Sequence, residues 1–180
     1  MARFIVLVCF WLASEAFAAP LFQSSTEDST AGWRMISAKL AKHLIEQSSA
    51  SDDVTEAMST RQRKDDYRIF FKARQIPLAI KGKSHLFVRP ATSPHFGIFY
   101  GAHIFSYWIV DSNENIIFTS RSDRFSVLSA SHNGMRDIEV SQCRTSECFV
   151  TRFVFDGASY VEQRCFTEEV QSRRRTAGCS

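Results

Sequence analysis

The chain has 180 residues, 44% hydrophobic and 23% charged, with only 7 Gly and 4 Pro, which excludes collagen-like, low-complexity and wholly disordered classes and leaves room for one globular domain. Arg3 and Glu15 cancel near the start, and the formal charge of +3 is matched by Arg173, Arg174 and Arg175 alone. The body is therefore close to neutral, which argues against a broad nucleic-acid face.

Residues 1–18 read as an export signal. Arg3 supplies a positive start, FIVLVCFWLA is an uninterrupted apolar run, and Ala16-Phe17-Ala18 is an A-x-A pattern that places cleavage after Ala18. That run is too short to span about 30 Å of hydrocarbon, which takes about 20 residues. Gly97, Gly101, His103 and Ser106 break the apolar stretch over 96–110, so no later segment is expected to span a bilayer. The expected address is the bacterial periplasm, with secretion to the medium as the alternative.

Residues 19–30 (APLFQSSTEDST) are polar, small and aperiodic, and are expected to be a mobile mature N-terminus. A helix should follow, capped by Ser29 or Thr30, with Trp33, Ile36, Leu40 and Leu44 along one stripe and the polar SSASDD stretch at its end. Residues 51–66 are charged, with Val54 and Met58 at helical spacing. A second, mostly exposed helix or a long loop fits them equally. From Tyr67 the aromatic content climbs, and Pro77 ends whatever precedes it.

Strands are expected over 86–88, 96–110, 116–120, 125–128, 135–142, 149–155 and 159–164, each rich in Phe, Val, Ile or Tyr. Turn residues separate them, among them Asp111-Ser112-Asn113, Ser122-Asp123, His132-Asn133-Gly134 and Asp156-Gly157. So close a spacing leaves no room for crossover helices, and neighbours should pair antiparallel. The expected class is α+β: one domain over 31–170, with one or two N-terminal helices packed on a curved, mainly antiparallel β-meander, and a basic C-terminal tail over 171–180. In the strand ending at Val110, Tyr100, Ile104, Trp108 and Val110 share one face, and His103, Phe105, Tyr107 and Ile109 the other. Such a strand is covered on both sides or lines a cavity.

Signal removal leaves Cys143, Cys148, Cys165 and Cys179, and an even number in an exported chain implies two disulfides. If Asp156-Gly157 is a two-residue turn with Phe155 facing Ala158, the register places Cys148 opposite Cys165 and Tyr160 opposite Phe153. Residues 144–147 are equally a hairpin-sized loop between Cys143 and Cys148. Two connectivities stay open: Cys143–Cys148 with Cys165–Cys179, or Cys148–Cys165 with Cys143–Cys179. The spacing after the C-x4-C opening does not repeat it, so zinc is not expected.

The chemical constellations are thin. His85, His95, His103 and His132 match no compact metal-ligand spacing, and no cofactor is expected. For hydrolysis one can draw His132 as base, Asp137 as its orienter and Ser131 as nucleophile, but no G-x-S-x-G or H-E-x-x-H pattern supports them. A turn role for Asp137, accepting loop amides, is the favoured reading.

The segments HNGMRDIEV (132–140) and FVFDGASYVEQRC (153–165) resemble the C-terminal hairpins of small exported bacterial proteins of unknown function, which carry a similar NGxxDI … FxFDGxxY pattern. The resemblance covers about a fifth of the mature chain. Gly134, Asp137, Asp156, Gly157 and Tyr160 all have fold explanations, so it implies an architecture and no activity.

The expected function is that of a non-enzymatic binding or inhibitory protein of the immunity type, with another envelope or secreted protein as partner. The alternative is a small periplasmic hydrolase or metal-binding protein using His103, His132 and Asp137. The candidate binding surface is aromatic, formed by Phe96, Phe99, Tyr100 and Trp108 within TSPHFGIFYGAHIFSYW. Burial of those rings would remove it.

Overall fold

A computed structural model describes residues 19–48, 51–59, 66–82, 84–92, 99–100 and 104–179. The expected signal with its cleavage site at Ala18, together with Phe96, His95 and His103, lies outside the described residues.

The aromatic and β-branched runs after Tyr67 form strands, as their alternation requires. In chain order the elements are β1 (Phe22–Ser25), α1 (Ala38–Glu46), α2 (Ser51–Ser59), a 3-10 turn (Tyr67–Phe70), β2 (Phe71–Ile76), β3 (His85–Pro90), β4 (Phe105–Val110), β5 (Ile116–Ser122), β6 (Arg124–His132), β7 (Met135–Cys143), β8 (Glu147–Phe155), β9 (Tyr160–Glu169) and β10 (Arg175–Ala177). They build a six-stranded sheet in the order β1-β6-β7-β8-β9-β10 and a four-stranded sheet in the order β2-β3-β4-β5. All pairings within the sheets are antiparallel. Among the described residues the architecture is therefore mainly β with two short α-helices, a β-rich form of the expected class.

Among the described residues the backbone ties the sheets together at the β5–β6 junction and beyond β2. Only Asp123 separates β5 from β6, where the chain leaves one sheet for the other. Beyond β2, Ala79 bridges Met135 at the β6–β7 tip, with the Arg136 amide donating to the Leu78 carbonyl at 2.8 Å and the Ile80 amide to Gly134 at 3.0 Å. Gly134 sits there at φ 83°, a left-handed backbone suited to glycine.

Two apolar layers flank the four-stranded sheet. Between the sheets, Phe87, Phe105, Tyr107 and Ile109 meet Phe125, Val127, Ile138 and Val140. Phe87 stacks on Phe125 at 4.7 Å between ring centroids. On the other side Val88, Trp108 and Val110 pack under Leu40, Leu44, Val54, Met58 and Phe70. β4 is thus covered on both sides, with Trp108 and Val110 facing the helices and Phe105, Tyr107 and Ile109 facing the second sheet. Burying each such side chain contributes roughly 1.5–3 kcal/mol.

α1 starts later than the sequence suggested. Ser37 caps it, its hydroxyl accepting from the Leu40 amide at 3.0 Å. Upstream, Arg34 exchanges two backbone bonds with Ala73, 3.1 and 2.8 Å long, so this stretch is spent on a sheet edge. Ile36, Leu40 and Leu44 keep their common buried side. Trp33 leaves the stripe and packs edge-on against Phe87 in the inter-sheet layer, 6.1 Å away.

Both expected tails are built into the fold. The 19–30 stretch contains β1, which pairs with β6 from Phe22↔Val127 to Ser25↔Arg124. Phe22 supplies the reason: its ring packs against Phe87 and Phe125 at 5.4 and 6.2 Å. Arg89 on β3 adds a polar tie. Fully buried, it donates to the Ser24 hydroxyl at 2.8 Å, to the Ser25 carbonyl, and to the Thr26 carbonyl at 3.2 Å. At the other end β10 pairs with β9, Arg175 lying opposite Glu168.

The β8–β9 hairpin differs from the two-residue turn. Its loop has four residues, Asp156 accepting from the Ala158 and Ser159 amides at 2.8 Å each, and Phe155 pairs with Tyr160. A register shift between Arg152 and Phe153 then brings Cys148 opposite Glu168 rather than Cys165. Cys143 instead faces Cys148 across β7 and β8. The disulfides are Cys143–Cys148 and Cys165–Cys179, with Cα atoms 3.9 and 5.6 Å apart.

Candidate binding face

Strand alternation sends Ile138 and Val140 of β7 into the inter-sheet layer, which turns Asp137, Glu139, Ser141 and Cys143 to the outer face of the six-stranded sheet. The register sets Ser126 of β6 and Arg152 of β8 on either side of Glu139. It likewise sets Arg124 opposite Ser141, and Arg175 of β10 opposite Glu168 of β9. One cross-strand surface thus collects two glutamates and a row of arginines.

Both glutamates are buried, with 6% of each residue exposed. Arg152 reaches Glu139 with Nε and Nη2 on Oε1 at 3.0 and 2.6 Å. Arg175 spans the pair: Nη1 and Nη2 donate to Glu139 at 3.1 Å each, and Nε donates to Glu168 Oε2 at 2.7 Å. Arg173 Nη1 adds a bond to Glu168 Oε1 at 2.9 Å. Burial pushes the Glu168 carboxyl up, but the bonds from Arg173 and Arg175 and the charges of Arg175 and Arg124 outweigh it and hold it below the usual range. The expected free basic tail is therefore largely engaged, because Arg173 and Arg175 fold back onto buried acid.

Charge is not balanced here. Four arginines, Arg124, Arg152, Arg173 and Arg175, stand against Glu139 and Glu168. Arg124, Ser126, Glu139, Ser141, Glu168 and Arg173 line a cleft of about 370 Å³. Arg173 is held with a left-handed φ of 57° and leaves 64% of its side chain exposed. Such a backbone in a residue other than glycine costs on the order of 1 kcal/mol and persists where the surroundings enforce it. Arg124 also borders a second cleft of about 900 Å³, with Thr26, Glu27, Asp123, Cys143 and Arg144. The arrangement suits an anionic group, through forked guanidinium hydrogen bonds and the two serine hydroxyls.

The residues singled out from sequence fall elsewhere. Phe99 and Trp108 are buried, 3% and 5% exposed, against Phe70 and Phe71 under the helices. Tyr100 is half-buried, its hydroxyl donating to the Pro90 carbonyl at 3.0 Å and accepting from Arg89 Nη2 at 3.3 Å. Phe99 and Trp108 therefore serve the core, and Tyr100 ties Arg89 to the Pro90 carbonyl.

His132 and Asp137 do meet. Nδ1 lies 2.7 Å from Oδ1, with the carboxylate buried and the imidazole half-exposed. Ser131 and His132 pair in succession with Arg136 and Met135, so the alternation of β6 turns the serine away from the imidazole. His85 is buried with no hydrogen-bond partner for Nδ1 among the described residues, and burial pushes its pKa down against the pull of Asp111. Among the described residues no group of three His, Cys, Asp or Glu side chains is placed to hold a metal ion. No described helix is long and apolar enough to cross a membrane.

No family model, curated protein or solved structure matches the chain.

The charged face was missed from sequence because its members are scattered over β6 to β10. Its one local signal is the polar alternation Asp137, Glu139, Ser141 between Ile138 and Val140.

Proposed function

We propose that the chain is an exported, non-enzymatic binding protein of the inhibitory or immunity kind, and that its partner is another envelope or secreted protein offering an acidic segment to the outer face of the six-stranded sheet. The observation that carries this reading is the surplus of guanidinium groups around Glu139 and Glu168, bordering a cleft of about 370 Å³. Oxidised Cys143–Cys148 and Cys165–Cys179 support an oxidising compartment, the periplasm first. The A-x-A pattern at Ala18 supports the route there.

The test is fluorescence anisotropy with a labelled Asp/Glu-rich decapeptide. Micromolar binding that weakens with added salt and is lost in Arg173→Glu is the expected result. Equal binding of a neutral peptide, or no effect of Arg173→Glu, overturns the reading. Mass spectrometry of the secreted product should give a mature start at Ala19.

A hydrolytic reading has one observation in its favour, the 2.7 Å contact of His132 with Asp137. It requires a nucleophile or activated water at the exposed edge of that ring. Hydrolysis of simple nitrophenyl esters that disappears in His132→Ala would establish it; equal rates in both proteins would end it.

A further inference from the structure

We propose that Cys143–Cys148 is an exchange-reactive disulfide that oxidises a partner dithiol, with Arg124 stabilising the thiolate that leaves. This goes beyond the binding reading and does not rest on it. The two sulfurs differ in access: Cys143 borders the open cleft of about 900 Å³, whereas Cys148 is 2% exposed. Arg124 Nη2 lies 3.6 Å from the Cys143 sulfur and 3.7 Å from the Cys148 sulfur. A guanidinium so close to a cysteine favours its ionised form and makes it the better leaving group. The Cys165 sulfur by contrast lies 3.5 Å from the Thr151 hydroxyl, and the Cys179 sulfur 3.7 Å from the Phe166 carbonyl, neither of them cationic.

The bridge also does less for the fold than its neighbour. Cys143–Cys148 spans five positions in sequence and Cys165–Cys179 fourteen, so opening the first releases less constraint on the unfolded chain. Six backbone pairings from Ile138↔Phe153 to Cys143↔Cys148 already hold β7 to β8.

In the first step a partner thiolate attacks the accessible Cys143 sulfur. The S–S bond breaks and its electron pair leaves on Cys148, beside Arg124. The partner's second thiolate then attacks its own sulfur in the mixed disulfide and expels Cys143 as thiolate. The partner dithiol has given up two electrons and become a disulfide, Cys143 and Cys148 are reduced, and the protons released by the partner return to the two cysteines or to solvent. The other charged groups on this cleft are Asp123, Glu27 and Arg144. Asp123 Oδ2 accepts the Cys143 amide, and Oδ1 is buried with no hydrogen-bond partner among the described residues, so the acid opposes a thiolate at Cys143 and favours placing the negative charge on Cys148. Arg144 stacks over Phe149 at 5.0 Å.

The experiment equilibrates the oxidised protein in graded dithiothreitol and glutathione buffers, traps thiols by alkylation and reads each bridge by peptide mass mapping, with near-UV circular dichroism reporting the fold. Cys143–Cys148 should open at a less reducing poise than Cys165–Cys179 while the spectrum stays native. In Arg124→Met its equilibrium with glutathione should fall about tenfold, or about 30 mV for a two-electron couple. The thiol pKa read from alkylation rates should rise by about one unit, since the cation that favoured thiolate is gone. Arg124→Lys should restore both. Reduction of both bridges together, reduction of Cys165–Cys179 first, or an Arg124→Met protein with unchanged poise and alkylation profile overturns the proposal.

Discussion

On β3 a guanidinium is fully buried and, among the described residues, donates to neutral acceptors, whereas on β7 and β9 two buried carboxylates are met by three guanidinium groups. Arg89 bonds Ser24, Ser25, Thr26 and the Tyr100 hydroxyl, and its flat face lies 4.1 Å over Phe105. Glu139 and Glu168 receive Arg152, Arg173 and Arg175. The difference separates two uses of a buried charge. Around Arg89 three of the four acceptors belong to β1 and the residue after it, and the fourth is the Tyr100 hydroxyl, so the charge is closed in by chain and serves to anchor that strand. Around the glutamates the surplus is positive and one arginine stands mostly in solvent, so the charge remains available to something outside the chain.

The comparison is tested most severely by Arg89→Met. It keeps the apolar stem but removes the donor from four oxygen acceptors, and should cost about 3–5 kcal/mol by urea denaturation, with faster amide exchange at the pairing of β1 with β6. Arg89→Lys should recover only part of this, because one ammonium cannot reach the same spread of acceptors. Glu139→Gln comes next, at about 2–4 kcal/mol, because it leaves Arg152 buried without its counter-charge. A Glu139→Gln protein less stable than Arg89→Met would reverse the ranking of the two sites.

Acid should act on one side of the comparison. The Glu168 carboxyl is held below its unfolded value, so the unfolded chain takes up the proton first as pH falls. The stability that Glu168 contributes is complete above the ordinary glutamate range and is lost as pH drops through and below it. Urea midpoints between neutrality and pH 3 should therefore fall less in Glu168→Gln than in the parent. The smallest effect on stability belongs to Arg173→Ala, at under about 1 kcal/mol for so exposed an ion pair. Its effect on acidic-peptide affinity should be at least tenfold. Equal losses in both would make Arg173 part of the scaffold instead.

Much of the β half was legible because period-two alternation is a local property. The segments around Ile138, Val150 and Tyr160 became β7, β8 and β9, and the two-faced strand ending at Val110 became the middle of a three-layer stack. What was illegible depended on partners distant in sequence. Phe22 reads as one apolar residue in a polar start until Phe87 and Phe125 are placed against it. Arg173 and Arg175 read as a solvated run until β9 turns back and presents Glu168. Asp156-Gly157 invited a two-residue turn, yet the Asp156 side chain captures two amides and lengthens the loop, which changes every register beyond it. The candidate site was harder still, since its arginines lie on three separate segments, on β6, on β8 and in the 173–175 run, and only the sheet brings them together.

The pairing of β1 with β6 has a kinetic corollary. Phe22 waits for Val127, about a hundred residues downstream, so a chain that emerges from its amino end first carries its opening strand idle until most of the polypeptide has followed. Until then the edge of β6 stays open to any other extended segment, including the same segment of a second molecule, and at high concentration the exchanged dimer is the natural competitor of the monomer.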